Sequence, residues 1–263
     1  MNTFDKVSNQ YADKSLVQKN AGVKLIERLQ ISNTDSILDV ACGPGNITNE
    51  LKNMTKGKVV GTDVSGGMIA RARKSYPKIE FVEVSAEALN YKNEFDVVFC
   101  NSALQWFKEP QKALHAMAKS LKPGGKIGLA CPGTNNWCPF FLKVIGKVGQ
   151  LPEIKQVFKY WQNPWFHLDN QEGYKELFEK AGFKTLLLSV DYEIKNFSVD
   201  DAFGVYLSGA SNGFIKKEYY AKEVSDDFFN TFNIAVKREF EKESKNGEVG
   251  LDFNRLYYIG VKT

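Results

Sequence analysis

The sequence predicts a doubly wound α/β fold: a mostly parallel seven-stranded sheet with helices on both faces, and a helical cap made from insertions. Three observations lead there. Through the first half of the chain, short runs that are apolar on both faces alternate with amphipathic helical segments, as in a parallel sheet buried from both sides. The connections between those runs are long enough for right-handed crossovers. The second half changes character, with aromatic- and proline-rich stretches around one further helix and strand.

The elements follow in order. SILDVA (36–41) reads as the first strand and NITNELKNM (46–54) as a short helix. KVVGTDV (58–64) is a second strand, and GGMIARARKS (66–75) a helix. KIEFVEV (78–84) and FDVVFCN (95–101) are the third and fourth strands. From Pro110 to Leu121 the apolar residues Ala113, Leu114, Met117 and Leu121 form a helical stripe. Lys122-Pro123-Gly124-Gly125 ends it, and KIGLAC (126–131) is the fifth strand. A helix is expected near 171–181, stopped by Gly182, then a strand over 183–194. Residues 197–248 read as helical, especially 222–243. The alternation in GLDFNRLYYIGVK (250–262) makes a final strand, a hairpin partner for 183–194. The organisation expected is one structural domain plus a cap. Residues 1–131 carry an N-terminal helix and the ligand-binding half of the sheet, and 132–170 form a cap insertion. Residues 171–194 hold the last helix and a strand, 195–249 a helical cap, and 250–263 the final strand.

Composition narrows the function classes. The chain has 263 residues, 43% hydrophobic and 25% charged, which is ordinary for a globular protein with a real core. A net charge of +4 spread along the sequence is not the footprint of a nucleic-acid binder. No apolar run approaches the ~18 residues of a membrane span, and MNTFDKVSNQYADK lacks the apolar core of a signal peptide. A soluble, cytoplasmic protein is expected. Cys42, Cys100, Cys131 and Cys138 form no CxxC pair, and the histidines are His115 and His167 alone. Neither a metal site nor a disulfide framework is expected.

The chemistry concentrates at the carboxyl ends of the strands, where open α/β sheets bind ligands. Leu38-Asp39-Val40-Ala41-Cys42-Gly43-Pro44-Gly45-Asn46 runs from a strand through a Gly-rich turn into a helix. Gly43 and Gly45 permit positive φ and close backbone approach, and the turn offers N–H groups to a ligand. Thr48 stands where a dinucleotide fingerprint has its third glycine, so the turn suits a carboxylate or a ribose better than a pyrophosphate. Asp63 ends the second strand, where an acidic side chain can accept from both ribose hydroxyls. Ser85-Ala86-Glu87-Ala88 after the third strand is a place for an adenine edge, and Asn101-Ser102-Ala103-Leu104-Gln105-Trp106 follows the fourth.

ILDVACGPG, GTDVS, FDVVFCNSALQWF and LKPGGKI, in this order and spacing, resemble the class I S-adenosylmethionine-dependent methyltransferases. The resemblance covers residues 1–131 well and the rest loosely. It implies a Rossmann-like fold, S-adenosyl-L-methionine as cofactor, and a set of contacts. Ala41, Cys42, Gly43 and Gly45 would meet the methionine part, with Asp39 bracing the turn. Asp63 would hold the ribose, and Val64 and Met68 would flank the adenine. Asn101 and Ala103 would complete the site beyond the fourth strand. The family often has Asp after the third strand; here Ser85 stands there, with the Ala86 backbone beside it.

A narrower resemblance rests on FDKVSNQYADKSLVQKNAGVKLIERL and NSALQWF. The first segment is similar to the N-terminal helix of the malonyl-carrier-protein methyltransferases. NSALQWF resembles those enzymes and also the trans-aconitate and juvenile hormone acid methyltransferases, all of which make methyl esters of carboxylic acids. That resemblance implies that Tyr11 covers the cofactor, and that Gln18 and Trp106 direct donors at the substrate carboxylate. Tyr11 and Gln18 share a face if 8–20 is helical.

A carboxylate acceptor also makes physical sense. It is ionised at neutral pH, with a reference pKa near ~4, so no general base is required. What it needs is neutral donors to replace its lost water, and the Gln amide and Trp indole N–H supply them. A phenol or alcohol would call for a positioned base or a metal. The expected reaction is therefore direct in-line methyl transfer to a small acid, free or carrier-linked, governed by orientation and desolvation rather than by a catalytic residue. Two alternatives stay open: methylation of N or C on a natural-product or quinone-type acceptor, and a non-catalytic cofactor-binding protein on the same fold. Gln105 could face solvent, cap a helix or touch substrate. His167 could line a pocket or cap the following helix. The aromatics from Trp137 to Phe166 could be the cap's own core or an acyl pocket.

Overall fold

The computed structural model describes residues 16–263. Seven strands form one sheet: β1 (Ile37–Val40), β2 (Val59–Asp63), β3 (Glu80–Glu83), β4 (Phe95–Asn101), β5 (Leu121–Pro132), β6 (Phe183–Ser198) and β7 (Glu248–Lys262). Their order is β3-β2-β1-β4-β5-β7-β6. β1 pairs in parallel with β2 and β4, β2 with β3, and β4 with β5, while β7 runs antiparallel to β5. The expected doubly wound, mostly parallel sheet is present. β6 and β7 lie side by side, as the alternation in both segments suggested.

The chain divides into two compact units. The first comprises residues up to Asn135 with Phe166–Asp191 and Arg255–Thr263, and it carries the parallel sheet. Its helices are α1 (Leu16–Leu29), α2 (Asn46–Met54), α3 (Gly66–Ser75) and α4 (Pro110–Ser120). Helix α1 buries Ala21, Leu25 and Leu29, one residue per turn, against Phe99, Ala130 and Tyr257 of the sheet. A Cβ on Gly128 would collide with Leu29, so the bare glycine lets α1 lie close on β5. Helix α4 buries Ala113, Leu114 and Met117 on the opposite face.

Residues 197–248 are not helical throughout, since a stretch with only short 3-10 turns separates the helices Val199–Ser208 and Asp226–Glu243, and the end of α4 also differs from the sequence reading. Leu121 does not end α4; it opens β5 and pairs with Phe95. The register then slips, so that Val97 faces Lys126. The residues between bulge outward, with Gly124 at φ +73°, and the chain rejoins the ladder beyond Gly125. The Pro-Gly-Gly signal marks a bulge inside one long strand rather than a gap between elements.

Register places the ligand-binding ends together. Val40 is level with Thr62 of β2 and with Cys100 of β4. Ala41, Asp63 and Asn101 therefore follow at one height. The strand order reverses between β1 and β4, which is where open α/β sheets leave a crevice.

The second unit comprises Asn136–Trp165 and Tyr192–Asn254. It contains α5 (Pro139–Val148) and α6 (Pro152–Phe158). After α7 (Gln171–Lys180) of the first unit come α8 (Val199–Ser208) and α9 (Asp226–Glu243) of the second. Its aromatics pack on one another: Phe141 stacks on Phe240 at 5.8 Å, Phe158 on Phe232 at 5.3 Å, and Trp161 on Phe158 at 5.5 Å. The Trp161 indole N–H donates to Gly213 O at 2.7 Å. Among the described residues, no helix is long and apolar enough to cross a membrane.

Candidate functional site

The turn after β1 has the backbone that its glycines foretell, plus one feature they do not. Gly43 and Gly45 take φ +56° and +85°, but Ala41 is also left-handed at φ +59°. A non-glycine residue held there is strained and needs support from its surroundings. The neighbouring Cys42 N–H donates to Thr62 O at 2.9 Å, and Gly45 N–H to Cys42 O at 3.2 Å. A Cβ added to Gly43 would meet nothing within 4 Å, whereas one on Gly45 would strike Phe81 at 2.8 Å. Gly45 is thus bare for packing, and Gly43 for an open approach to its backbone.

Asp39 lies beneath this turn at 2% exposure and accepts the Thr48 hydroxyl at 2.6 Å. Burial raises its carboxyl, helped by the charge of Asp63 and opposed by the Thr48 bond, to about 7. Thr48 escaped the sequence reading, which noted only that it was not glycine. Asp63 joins two turns. Its Oδ2 accepts Gly43 N–H at 2.9 Å, and its Oδ1 accepts Ser65 N–H at 2.8 Å. Ser65 in turn caps α3 by accepting Met68 N–H at 3.2 Å.

A crevice of about 570 Å³, counting its open mouth, lies over the β1 turn. Gln18, Asp39, Ala41, Cys42, Gly43 and Asn101 are among its lining residues. Asn101 Nδ2 donates to the Gln18 backbone oxygen at 2.9 Å, tying α1 to the end of β4. The Gln18 side-chain oxygen is buried and has no hydrogen-bond partner, so the crevice wall holds an unsatisfied amide. Cys42 is buried, and burial with the nearby Asp39 charge pushes its thiol well up; it lines the wall as an unreactive thiol.

The other expected residues sit beside this crevice rather than in its lining. Val64 is 53% exposed, while Met68 is buried under the Ser65 cap. Ser85 is half-buried and Ala86 buried, at a single 3-10 turn after β3. Ala103 is buried and accepts Trp106 N–H at 2.8 Å. Trp106 is half-buried on the 3-10 turn Leu104–Trp106. Tyr11 lies outside the described residues.

Each of two open readings loses one alternative. Gln105 is buried, not solvent-facing: its Nε2 donates to Ser102 O at 2.9 Å, while its side-chain oxygen has no partner. His167 does not cap α7; Asn170 does, accepting Gly173 N–H at 3.0 Å. The half-buried imidazole has a buried, unpartnered Nδ1, and burial lowers it to about 4, so it is neutral at pH 7. Sequence reasoning also missed Arg255 on β7, whose guanidinium donates to Ser102 Oγ at 2.8 Å. Register alone could have located it, since Arg255 faces Pro132 at the end of β5.

Residues 37–125 match a family model described as a methyltransferase domain. Protein 235L of Invertebrate iridescent virus 6, which bears the name of a candidate methyltransferase, is 24% identical over 84% of this chain and 84% of its own. The trans-aconitate 2-methyltransferase of Escherichia coli O157:H7 is 32% identical over 44% of this chain, which spans only 45% of that enzyme's length. Among solved structures, phosphoethanolamine N-methyltransferase 2 of Haemonchus contortus, with phosphomonomethylethanolamine and S-adenosylhomocysteine bound, matches at TM-score 0.58 and 19% identity. That match covers 98% of this chain and 58% of the nematode protein.

Proposed function

We propose that the chain is a class I S-adenosylmethionine-dependent methyltransferase and that it methylates a carboxylate oxygen of a small-molecule acid. The cofactor is S-adenosyl-L-methionine, and the residues present fit it. Gly43 leaves open space where a side chain would project, in the crevice that Ala41, Cys42 and Asn101 also line. Asp63 would take the ribose, the Ala41–Gly45 turn the methionine part, and Val64, Met68, Ser85 and Ala86 the adenine side. When bound, the cofactor supplies an electrophilic methyl group on a sulfonium.

The single observation that carries the choice of acceptor is the chemistry of the crevice wall. Apart from Lys19, whose ammonium lies 3.9 Å from Glu50, its polar side chains are the neutral amides Gln18, Asn46 and Asn101 and the buried carboxyl of Asp39, which is occupied by Thr48. Neutral donors suit an acceptor that arrives already ionised; they cannot remove a proton from a phenol or an amine. Gln18 and Trp106 would hold the carboxylate in line and replace its water. The partial likeness to trans-aconitate 2-methyltransferases points the same way.

The test is incubation with methyl-labelled cofactor and a metabolite extract. An ester is labile in base, so the labelled product should lose its methyl on mild alkaline treatment. A base-stable product would exclude an ester and overturn the carboxylate reading.

A further inference from the structure

We propose that Ser102 is a positioning residue: its hydroxyl, held by Arg255, sets the amide of Asn101, and Asn101 fixes the stretch of α1 that carries Gln18 over the crevice. This rests on the reading above in one respect, that Gln18 faces the methyl acceptor. It does not depend on which acceptor atom is methylated. Donor and acceptor chemistry leaves one arrangement. Arg255 Nη1 lies 2.8 Å from Ser102 Oγ, and a guanidinium only donates, so the hydroxyl oxygen accepts there. The hydroxyl proton goes to Asn101 Oδ1 at 3.2 Å. The other end of that amide, Nδ2, then donates to the Gln18 backbone oxygen at 2.9 Å, an atom that only accepts. A flipped Asn101 would set two acceptor oxygens face to face at Gln18. The bonds therefore run in one direction, from a permanent cation to the crevice wall, and each polarises the next.

Helix α1 is shaped to receive that amide. Gly22 follows Gln18 by one turn and is buried; a Cβ there would stand 3.2 Å from Asn101 Nδ2 and 3.0 Å from the tip of Ile47. The bare glycine leaves the space that Asn101 occupies. Asn101 and Gln18 both line the crevice, so the bond between them lies at the wall of the site.

The backbone at Ser102 gives the hydroxyl its significance. Ser102 is left-handed, at φ +58°, although it is not glycine. Its N–H donates to Ala130 O at 2.6 Å, and its carbonyl accepts Gln105 Nε2 at 2.9 Å. Those bonds belong to the main chain and would hold a glycine equally well, without the strain. Loop stability alone therefore favours glycine here. A strained side chain persists where its surroundings over-determine it, and such positions cluster at functional sites. What the serine adds is the link between Arg255 and Asn101.

The test uses the full chain, methyl-labelled S-adenosylmethionine and a metabolite extract, counting all labelled product, with Ser102→Gly and Ser102→Thr beside wild type. Glycine removes the hydroxyl and relieves the backbone; threonine keeps the hydroxyl and adds strain. Ser102→Gly should melt at or above the wild-type Tm and keep its full thermal shift with S-adenosylhomocysteine, yet transfer methyl about tenfold or more slowly. Ser102→Thr should melt lower yet transfer within about threefold of wild type. Hydrogen exchange across the α1 peptide should be about tenfold or more faster in Ser102→Gly than in wild type. Added to Gln18→Ala, Ser102→Gly should lower transfer by less than about a further twofold, since both act at one place. Three results would each overturn the proposal: Tm and transfer rising and falling together across the three proteins, unchanged α1 exchange in Ser102→Gly, or losses that multiply in the double variant. A base-stable product would sink the carboxylate reading alone and leave these comparisons to be read. An extract that takes no label from wild type would sink both.

Discussion

Replacing Asp63 with Ala should separate its two roles. Its carboxylate accepts Gly43 N–H at 2.9 Å and Ser65 N–H at 2.8 Å, so the side chain braces the β1 turn and the start of α3 before any ligand arrives. Hydrogen bonds to a charged group contribute about 1.5–3 kcal/mol each, and at a half-exposed position the low end applies. Loss of both should cost the apoprotein about 3 kcal/mol, or roughly 6–12 °C in Tm for a chain of this size. The ribose would lose two further bonds to the same carboxylate, again about 3 kcal/mol, which weakens binding roughly 100-fold. The assay is thermal unfolding with and without S-adenosylhomocysteine. At a ligand concentration near 100 Kd for wild type, the ligand stabilises by about 2.7 kcal/mol; for the variant the same concentration is near its Kd and yields only about 0.4 kcal/mol. The variant should therefore melt lower and respond hardly at all. A lower Tm with a full ligand response would refute the ribose assignment and leave Asp63 as a turn brace only.

Four further outcomes are expected. Asp39 has a folded-state pKa near 7 against an ordinary 3.8, so between those values the folded state holds a proton that the unfolded state has released. Stability from this group is greatest on the acid side, falls as pH rises through that window by up to about 4 kcal/mol, and is flat above it. Urea unfolding of wild type and Asp39→Asn at about pH 5 and about pH 8 should show the difference between them narrowing at low pH. Thr48→Val should destabilise by about 1–2 kcal/mol in urea unfolding at neutral pH, since it strands a buried carboxylate. Trp106→Ala and Gln18→Ala should each lower methyl transfer to the acid by tenfold or more while leaving cofactor affinity within about twofold; equal loss of both would remove them from the acceptor side. All four cysteines are buried, with Cys42 and Cys100 raised well above the ordinary thiol value. A thiol reagent near pH 8 should label the native chain slowly and reach full labelling only in denaturant.

Much of the fold was legible because the parallel strands announce themselves. ILDV and FDVVFCN are apolar on both faces, and Gly43 and Gly45 mark the turn between β1 and α2. What escaped were relations between distant residues. The partnership of Thr48 with Asp39 is invisible in a reading that asks only whether position 48 is glycine. Arg255 sits in a strand whose alternation hides a cation among tyrosines, and its meaning appears only when β7 is laid against β5. Gln105 is polar and was assigned alternatives that included solvent; the loop folds it inward to bond Ser102. The left-handed Ala41 and Ser102 carry no local signal at all, because neither residue type favours that conformation on its own.

The insertion of β7 between β5 and β6 constrains how the protein is made. β6 leaves the ribosome first, yet it has no partner until the strand that follows it, roughly 50 residues later, slots between it and β5. At about 5–20 residues per second, that interval lasts several seconds. Throughout it, two ladder edges stand unpaired on a nascent chain, so yield in a host cell should depend on how quickly translation crosses the stretch between Ser198 and Glu248 and on what shields those edges meanwhile.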